Sequence, residues 1–280
     1  MLEDTSGRGP GGRSGRGRFG QVGRAAKQRV RRLFAAAATV ALAAGCGTAT
    51  APGSPGAVPP AWVPAPRQVV AGDHWLAAGE AASAGLPRTD PNVLFVGDSI
   101  TEWWTRYGST TWERDFAPLG AVDDGVVGDT TSNLLYRLES GSLTGIHPRV
   151  VVVLIGTNNI QLGQSPQEIV HGVDTVVSVL HAKLPAARLL VLGLLPRAAP
   201  GRPARRRAAR VNALLADSPP PGVVYRDPGA ALLRPGGSPA SAAFLPGVIH
   251  TDLLHPTAAG YRLLGGRLLP EVRALLTATS

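Results

Sequence analysis

Ser99 stands in Gly97-Asp98-Ser99-Ile100, directly after the apolar run Val93-Leu94-Phe95-Val96. A serine hydroxyl is a poor nucleophile at neutral pH until a base takes its proton. His255 is the candidate base, because Asp252 lies three residues earlier in Asp252-Leu253-Leu254-His255. Residues i and i+3 are neighbours on one turn of helix, so the carboxylate can orient the imidazole and stabilise its charged form. His250, five residues before His255, is the alternative base. His171 and His181 fall in an expected helix, and His74 and His147 in or near loops.

Attack on a carbonyl creates an oxyanion that needs hydrogen-bond donors. Three candidates exist: the backbone N–H of Ser99, the backbone N–H of Gly128 and the side-chain amide of Asn158 in Gly156-Thr157-Asn158-Asn159. Glycine at 128 leaves room for close approach of a substrate. Removing one such donor typically costs about 100- to 1000-fold in rate. Each residue also has a plainer use: Ser99 as a helix cap, Gly128 as a turn glycine, Asn158 as a loop amide. Together and in this order they point to ester hydrolysis by a serine nucleophile through an acyl-enzyme.

The intervening sequence supplies elements that can hold these residues. Val93–Val96, Val150–Ile155 and Leu189–Leu195 are continuous apolar runs, and Val223–Tyr225 is a weaker fifth strand. Ala121-Val122 and Val126-Val127 flank Asp123-Asp124-Gly125, which reads as a turn. Helices are expected from Thr130 to Glu139, Pro166 to Leu184, Pro203 to Ala216 and from near Pro256 to Leu276. Continuous apolar strands alternating with helices imply an α/β protein with a parallel sheet of about five strands, covered on both faces. Such sheets bind ligands at the carboxyl ends of their strands. Three of the four motifs follow strand ends, and the fourth precedes the closing helix.

The formal charge of +9 misleads. Residues 1–45 hold nine Lys/Arg against two Asp/Glu, and the other 235 residues are nearly balanced. The basic character thus belongs to a leader and does not imply a nucleic-acid partner. Leu33–Ala44 is apolar but shorter than the ~20 residues that span a bilayer, as in a signal-peptide core. Arg31-Arg32-Leu33-Phe34 partly resembles a twin-arginine export signal. Ala43-Ala44-Gly45-Cys46 resembles a bacterial lipobox, in which the cysteine is lipidated. Cys46 is the only cysteine, so the domain has no internal disulfide. The expected organisation is a signal segment at 1–45, a lipidated Cys46 and Pro/Ala/Gly-rich tether at 46–69, and a hydrolase domain at 70–280. The protein is then exported and held to the bacterial membrane through Cys46, or alternatively secreted.

Gly-Asp-Ser, a lone Gly, Gly-x-Asn and Asp-x-x-His in this order resemble the SGNH, or GDSL-type, hydrolases. Gly128-Asp129-Thr130-Thr131, Tyr136-Arg137-Leu138-Glu139, Val150-Val151-Val152-Val153, Gly156-Thr157-Asn158-Asn159 and Leu192-Gly193-Leu194-Leu195-Pro196-Arg197 further resemble the catalytic subunits of platelet-activating factor acetylhydrolase. The resemblance covers roughly residues 70–275. It implies a flavodoxin-like three-layer α/β/α sandwich and removal of short acyl groups from a small ester substrate. It also implies Ser99, Asp252 and His255 as a triad, with Gly128 and Asn158 completing the oxyanion hole. The resembling subunits dimerise, which makes a homodimer an expectation here. Two departures stand out. Val127 replaces a second glycine, and Pro228–His250 matches poorly at the substrate-facing rim.

No dinucleotide fingerprint or P-loop occurs in the domain, and no His/Cys cluster has metal-ligand spacing, so no cofactor and no metal are implied. Of Trp103 and Trp104, at most one can face the site, because adjacent helical residues point about 100° apart. Arg202, Arg205, Arg206, Arg207 and Arg210 read as a solvated helix face, with anionic lipid or cell-wall polymer as the sharper alternative. Two functional alternatives remain: an acyltransferase that moves the acyl group to a sugar hydroxyl, and a surface lipoprotein that binds glycans or lipids without turnover.

Overall fold

Val93–Gly97 (β1) and Val150–Leu154 (β3) are buried along their whole length. Burial of every residue requires cover on both faces, which parallel strands joined by helical crossovers provide. The computed structural model describes residues 58–67, 90–141, 143–197, 202–244 and 253–278. With Ala121–Gly125 (β2), Arg188–Leu192 (β4) and Val223–Arg226 (β5), they form a five-stranded parallel sheet in the order β2-β1-β3-β4-β5. Register is set by Val93 opposite both Ala121 and Val150, and by Val150 opposite Arg188.

The helices are Ser99–Glu102 (α1), Ser109–Thr111 (α2), Thr131–Glu139 (α3), Thr157–Gln161 (α4), Pro166–Lys183 (α5), Pro203–Asp217 (α6) and Ala258–Thr277 (α7). Successive strand residues point to opposite faces. Leu94, Val96, Val151 and Val153 therefore join one core with Leu135, Val173 and Val211 of α3, α5 and α6. Val93, Phe95, Val152 and Leu190 join the other with Trp104, Phe116, Tyr261 and Leu264. The result is the expected three-layer α/β/α sandwich. Capping fixes two of the helix starts. Thr130 and Asn133 form a reciprocal pair at α3, and Ser165 and Glu168 form another at α5, with Pro166 in the first turn.

The order turns on β1: β2 lies on one side of it and β3 on the other. Ligands in open α/β sheets bind at such a reversal, outside the carboxyl ends of the strands. The short helices that follow β1 and β3 there, α1 and α4, carry Ser99 and Asn158.

Two local expectations differ from the structure. Asp123-Asp124-Gly125 is not a turn but lies within β2, paired with Phe95, Val96 and Gly97. The Asp124 carboxylate is held by buried Arg137, and the Asp123 carboxylate accepts from the Gly125 N–H, which outweighs the local turn preference. The last helix starts at Ala258, with Thr257 as its cap, close to the expected start near Pro256.

The second difference concerns the Pro/Ala-rich stretch expected as tether. Its residues 58–67 lie against α3 and α5. Ala61 is fully buried, and its carbonyl accepts from Thr131 Oγ1 at 2.6 Å. The carbonyls of Pro59, Pro60 and Ala65 accept from Gln164, Ser132 and Asn133. Trp62 stacks on His171 with ring centroids 4.4 Å apart. Backbone carbonyls carry most of this docking, so composition gave no sign of it. In α6, Arg202, Arg206, Arg207 and Arg210 are exposed, while Arg205 turns to the Gly237 carbonyl. Cys46, His250 and Asp252 lie outside the described residues.

Candidate active site

At the end of β1, a Cβ on Gly97 would run into the Leu154 carbonyl of β3 and the Thr101 side chain. Glycine there lets the two strands close up before the chain turns into α1. Asp98 is the α1 cap, its Oδ1 accepting from the Ile100 N–H at 2.9 Å. Capping therefore falls to Asp98, and the Ser99 hydroxyl is turned elsewhere. Its Oγ lies 2.9 Å from His255 Nε2. Both residues are buried, at 4% and 6% exposure. Burial pushes the Asp98 carboxyl up to about 7, against the pull of its bond from Ile100.

His255 arrives on a reversed backbone. Leu253, at φ 49°, is the only described non-glycine residue in the left-handed region. Such strain costs on the order of 1–3 kcal/mol and persists where surrounding structure enforces it. Leu253–Thr257 is not helical, and Asp252, the expected partner of His255, lies outside the described residues. A turn ahead of α7 presents the imidazole instead.

Trp103 packs against His255 with ring centroids 4.2 Å apart. Arg106 lies over the Trp103 ring, and Tyr107 meets its edge. Trp104 points into the core among Phe95, Phe116 and Tyr261. One tryptophan thus flanks the site and the other does not, both from the turn that follows α1.

The loop after β2 is bonded on both sides. The Val126 N–H donates to the Gly97 carbonyl at 3.0 Å, and the Val127 N–H donates to Glu102 Oε2 at 2.6 Å. The Val127 carbonyl accepts from Arg67 Nη1 at 3.1 Å. Gly128 follows at φ 83°, a conformation that favours glycine. Asn158 Nδ2 donates to the Asp129 carbonyl at 2.8 Å. An amide nitrogen carries two N–H groups, so a second one remains for a substrate oxygen. Asn159 accepts from the Thr131 N–H and donates to Thr131 Oγ1 and Gln164 Oε1. From the loop after β4, Arg197 Nη1 donates to the Thr157 carbonyl at 2.7 Å. The loops after four strands are thus tied into one edge. Gly128 and Asn158 are half-buried, whereas Ser99 and His255 are buried.

The sequence reading missed Arg67, Glu102 and Arg137 as supports of this edge. Arg137 is buried and donates to Asp129 at 2.8 Å and Asp124 at 2.9 Å. Burial raises the Glu102 carboxyl above its ordinary range, opposed by its bond from Val127. Glu102 follows the nucleophile by three residues, a spacing that offered a weak clue. Arg67 sits in a Pro-rich run that offered none. Among the described residues, no group of three or more His, Cys, Asp or Glu could hold a metal ion.

A parallel α/β sheet with a buried Ser–His pair at its point of reversal defines a serine ester hydrolase. The GDSL-like Lipase/Acylhydrolase family model matches residues 95–263, and the chain belongs to this family. Platelet-activating factor acetylhydrolase IB subunit alpha2 of Gallus gallus is 34% identical over 223 residues, covering 79% of this chain and 93% of the relative. The Homo sapiens subunit is 33% identical over the same shares. The resemblance drawn from motif order therefore holds. A GDSL-like lipase structure from Bacteroides thetaiotaomicron covers 71% of this chain and 98% of its own, at TM-score 0.53 and 18% identity. A member of the lipolytic G-D-S-L family from Veillonella parvula covers 64% and 96%, at TM-score 0.51 and 18% identity. These two likenesses concern the fold.

Proposed function

We propose that this ester hydrolase removes short, acetyl-like acyl groups through an acyl-enzyme on Ser99. The 2.9 Å contact between buried Ser99 Oγ and His255 Nε2 carries the reading. With its proton on Nδ1, His255 accepts the serine proton at Nε2 as Oγ bonds to the ester carbonyl carbon. Asp252, three residues upstream, serves to orient the ring and stabilise its charge. The carbonyl oxygen becomes an oxyanion, held by the N–H groups of Ser99 and Gly128 and by the second N–H of Asn158. The intermediate collapses and the ester C–O bond breaks. His255 passes its proton to the leaving alcohol. Water, deprotonated by His255, then attacks the acyl-enzyme and releases the acid.

Two observations favour a small acyl group. Trp103 closes in on His255, and the acylhydrolase relatives at 33–34% identity are named for an acetyl group. The experiment is a p-nitrophenyl ester series from acetate to octanoate, run on wild type and Ser99→Ala. Acetate is expected to be the best substrate, and Ser99→Ala to lose at least about a thousandfold in kcat. Equal activity in both proteins removes Ser99 as nucleophile, and a preference for octanoate removes the short-acyl reading. The leader and Cys46 support an exported, lipid-anchored enzyme. Cys46→Ser should then leave the membrane fraction, and unchanged membrane association would defeat the anchor.

A further inference from the structure

The Val127 carbonyl and the Gly128 N–H belong to one planar peptide unit, so they point in opposite directions. Gly128 N–H is the oxyanion donor of the proposed function, on which this inference rests. The carbonyl at the other end of that unit accepts from Arg67 Nη1 at 3.1 Å. The guanidinium lies close against Gly128: a Cβ there would come to 2.5 Å from Arg67 Nη1 and 3.0 Å from Cζ. On the preceding unit, the Val127 N–H is held by Glu102 Oε2. The two peptide units around Val127 are thus gripped by a cation at one carbonyl and a carboxylate at one N–H.

We infer that Arg67 is a positioning residue for the oxyanion site, delivered by the docked 58–67 arm. A free peptide unit beside glycine can rotate, because φ and ψ on either side of it are soft. The bond from Arg67 locks the orientation in which the Gly128 N–H faces the site. A charged donor on the carbonyl also polarises the same amide and strengthens its N–H as a donor. Both effects grow as negative charge builds on the substrate oxygen, so they act on the transition state more than on bound ester. The arm is held independently of Arg67, by Ala61, Trp62 and Ala65 on α3 and α5. It is thereby part of the catalytic edge and not merely a spacer before the domain.

The test uses the full chain and p-nitrophenyl acetate. Arg67→Ala is expected to lower kcat about tenfold with KM changed less than about twofold, a fraction of what losing a whole donor costs. Arg67→Lys keeps a charged donor and should recover part of kcat. Added guanidinium ion at millimolar concentration should partly rescue Arg67→Ala and leave wild type unchanged. Val63→Ala alters an exposed residue of the same arm and should retain wild-type kcat. An unchanged kcat in Arg67→Ala overturns the inference, as does a fall confined to KM. Equal losses in Arg67→Ala and Val63→Ala would assign the effect to arm docking and also overturn it. If Arg67→Ala does not fold, Arg67→Lys carries the test: kcat as low as with a donor removed would refute it. Failure of the esterase reading is separate, since it appears as wild-type activity that survives Ser99→Ala.

Discussion

Replacing Arg137 by methionine should unfold the edge that carries Gly128 and Asn158. Arg137 is 5% exposed, and its two partners, Asp124 and Asp129, are 0% exposed. It makes three bonds: Nε to Asp129 Oδ2 at 2.8 Å, Nη1 to Asp124 Oδ2 at 2.9 Å and Nη2 to the Asp124 carbonyl at 3.1 Å. Methionine fills much of the volume but leaves two buried carboxylates without their cation. Breaking a buried pair by removing one partner costs about 3–5 kcal/mol, with no solvent screening to soften it here. In a domain of this size that lowers Tm on the order of 10 °C. The pH dependence has a definite sign. Burial already raises the Asp124 carboxyl, and Arg137 opposes the rise. Without Arg137 the folded-state pKa climbs further above the unfolded value. The folded variant then holds protons that the unfolded chain has lost, so its stability falls as pH rises between those values. The deficit against wild type should be full near pH 8 and shrink toward pH 4. Urea unfolding of both proteins across that range measures it. A loss below about 1 kcal/mol near pH 8, or a deficit that widens in acid, would refute the reasoning.

Asn158→Ala should reduce kcat about 100- to 1000-fold, and a loss under tenfold would remove its amide from the oxyanion site. Asp98→Asn keeps an oxygen for the Ile100 N–H but cannot ionise. Because burial lifts Asp98 to about 7, wild-type stability should decline from the ordinary carboxylate range up to that value and level off above it. The variant's stability relative to wild type should therefore improve with rising pH, and denaturant midpoints that run parallel at all pH values would contradict the shift. Gly97→Ala puts a methyl group against the Leu154 carbonyl, so β1 and β3 must part. A cost of about 1–3 kcal/mol and a marked fall in kcat are expected, and a wild-type melting curve would mean the strands yield freely.

The sequence by itself determined the sheet and the chemistry of its edge. Val93–Val96 and Val150–Leu154 are apolar at every position, which only a strand covered on both faces satisfies, and the helix caps Thr130 and Ser165 are written locally. Ser99 and His255, which the fold brings within 2.9 Å, were legible from their motifs, one after a strand end and the other ahead of the last helix. Tertiary structure alone decided what depends on distant partners. Asp123-Asp124-Gly125 has the local preference of a turn, yet it becomes strand because Arg137, thirteen residues on, neutralises Asp124 inside the fold. Residues 58–67 have the composition of a linker, yet their carbonyls meet donors from residues 68 to 105 positions away. Neither composition nor periodicity encodes such bonds, because every residue offers the same carbonyl. Arg67 was invisible for the same reason: its partner is the Val127 backbone, and only the folded chain brings that peptide within reach.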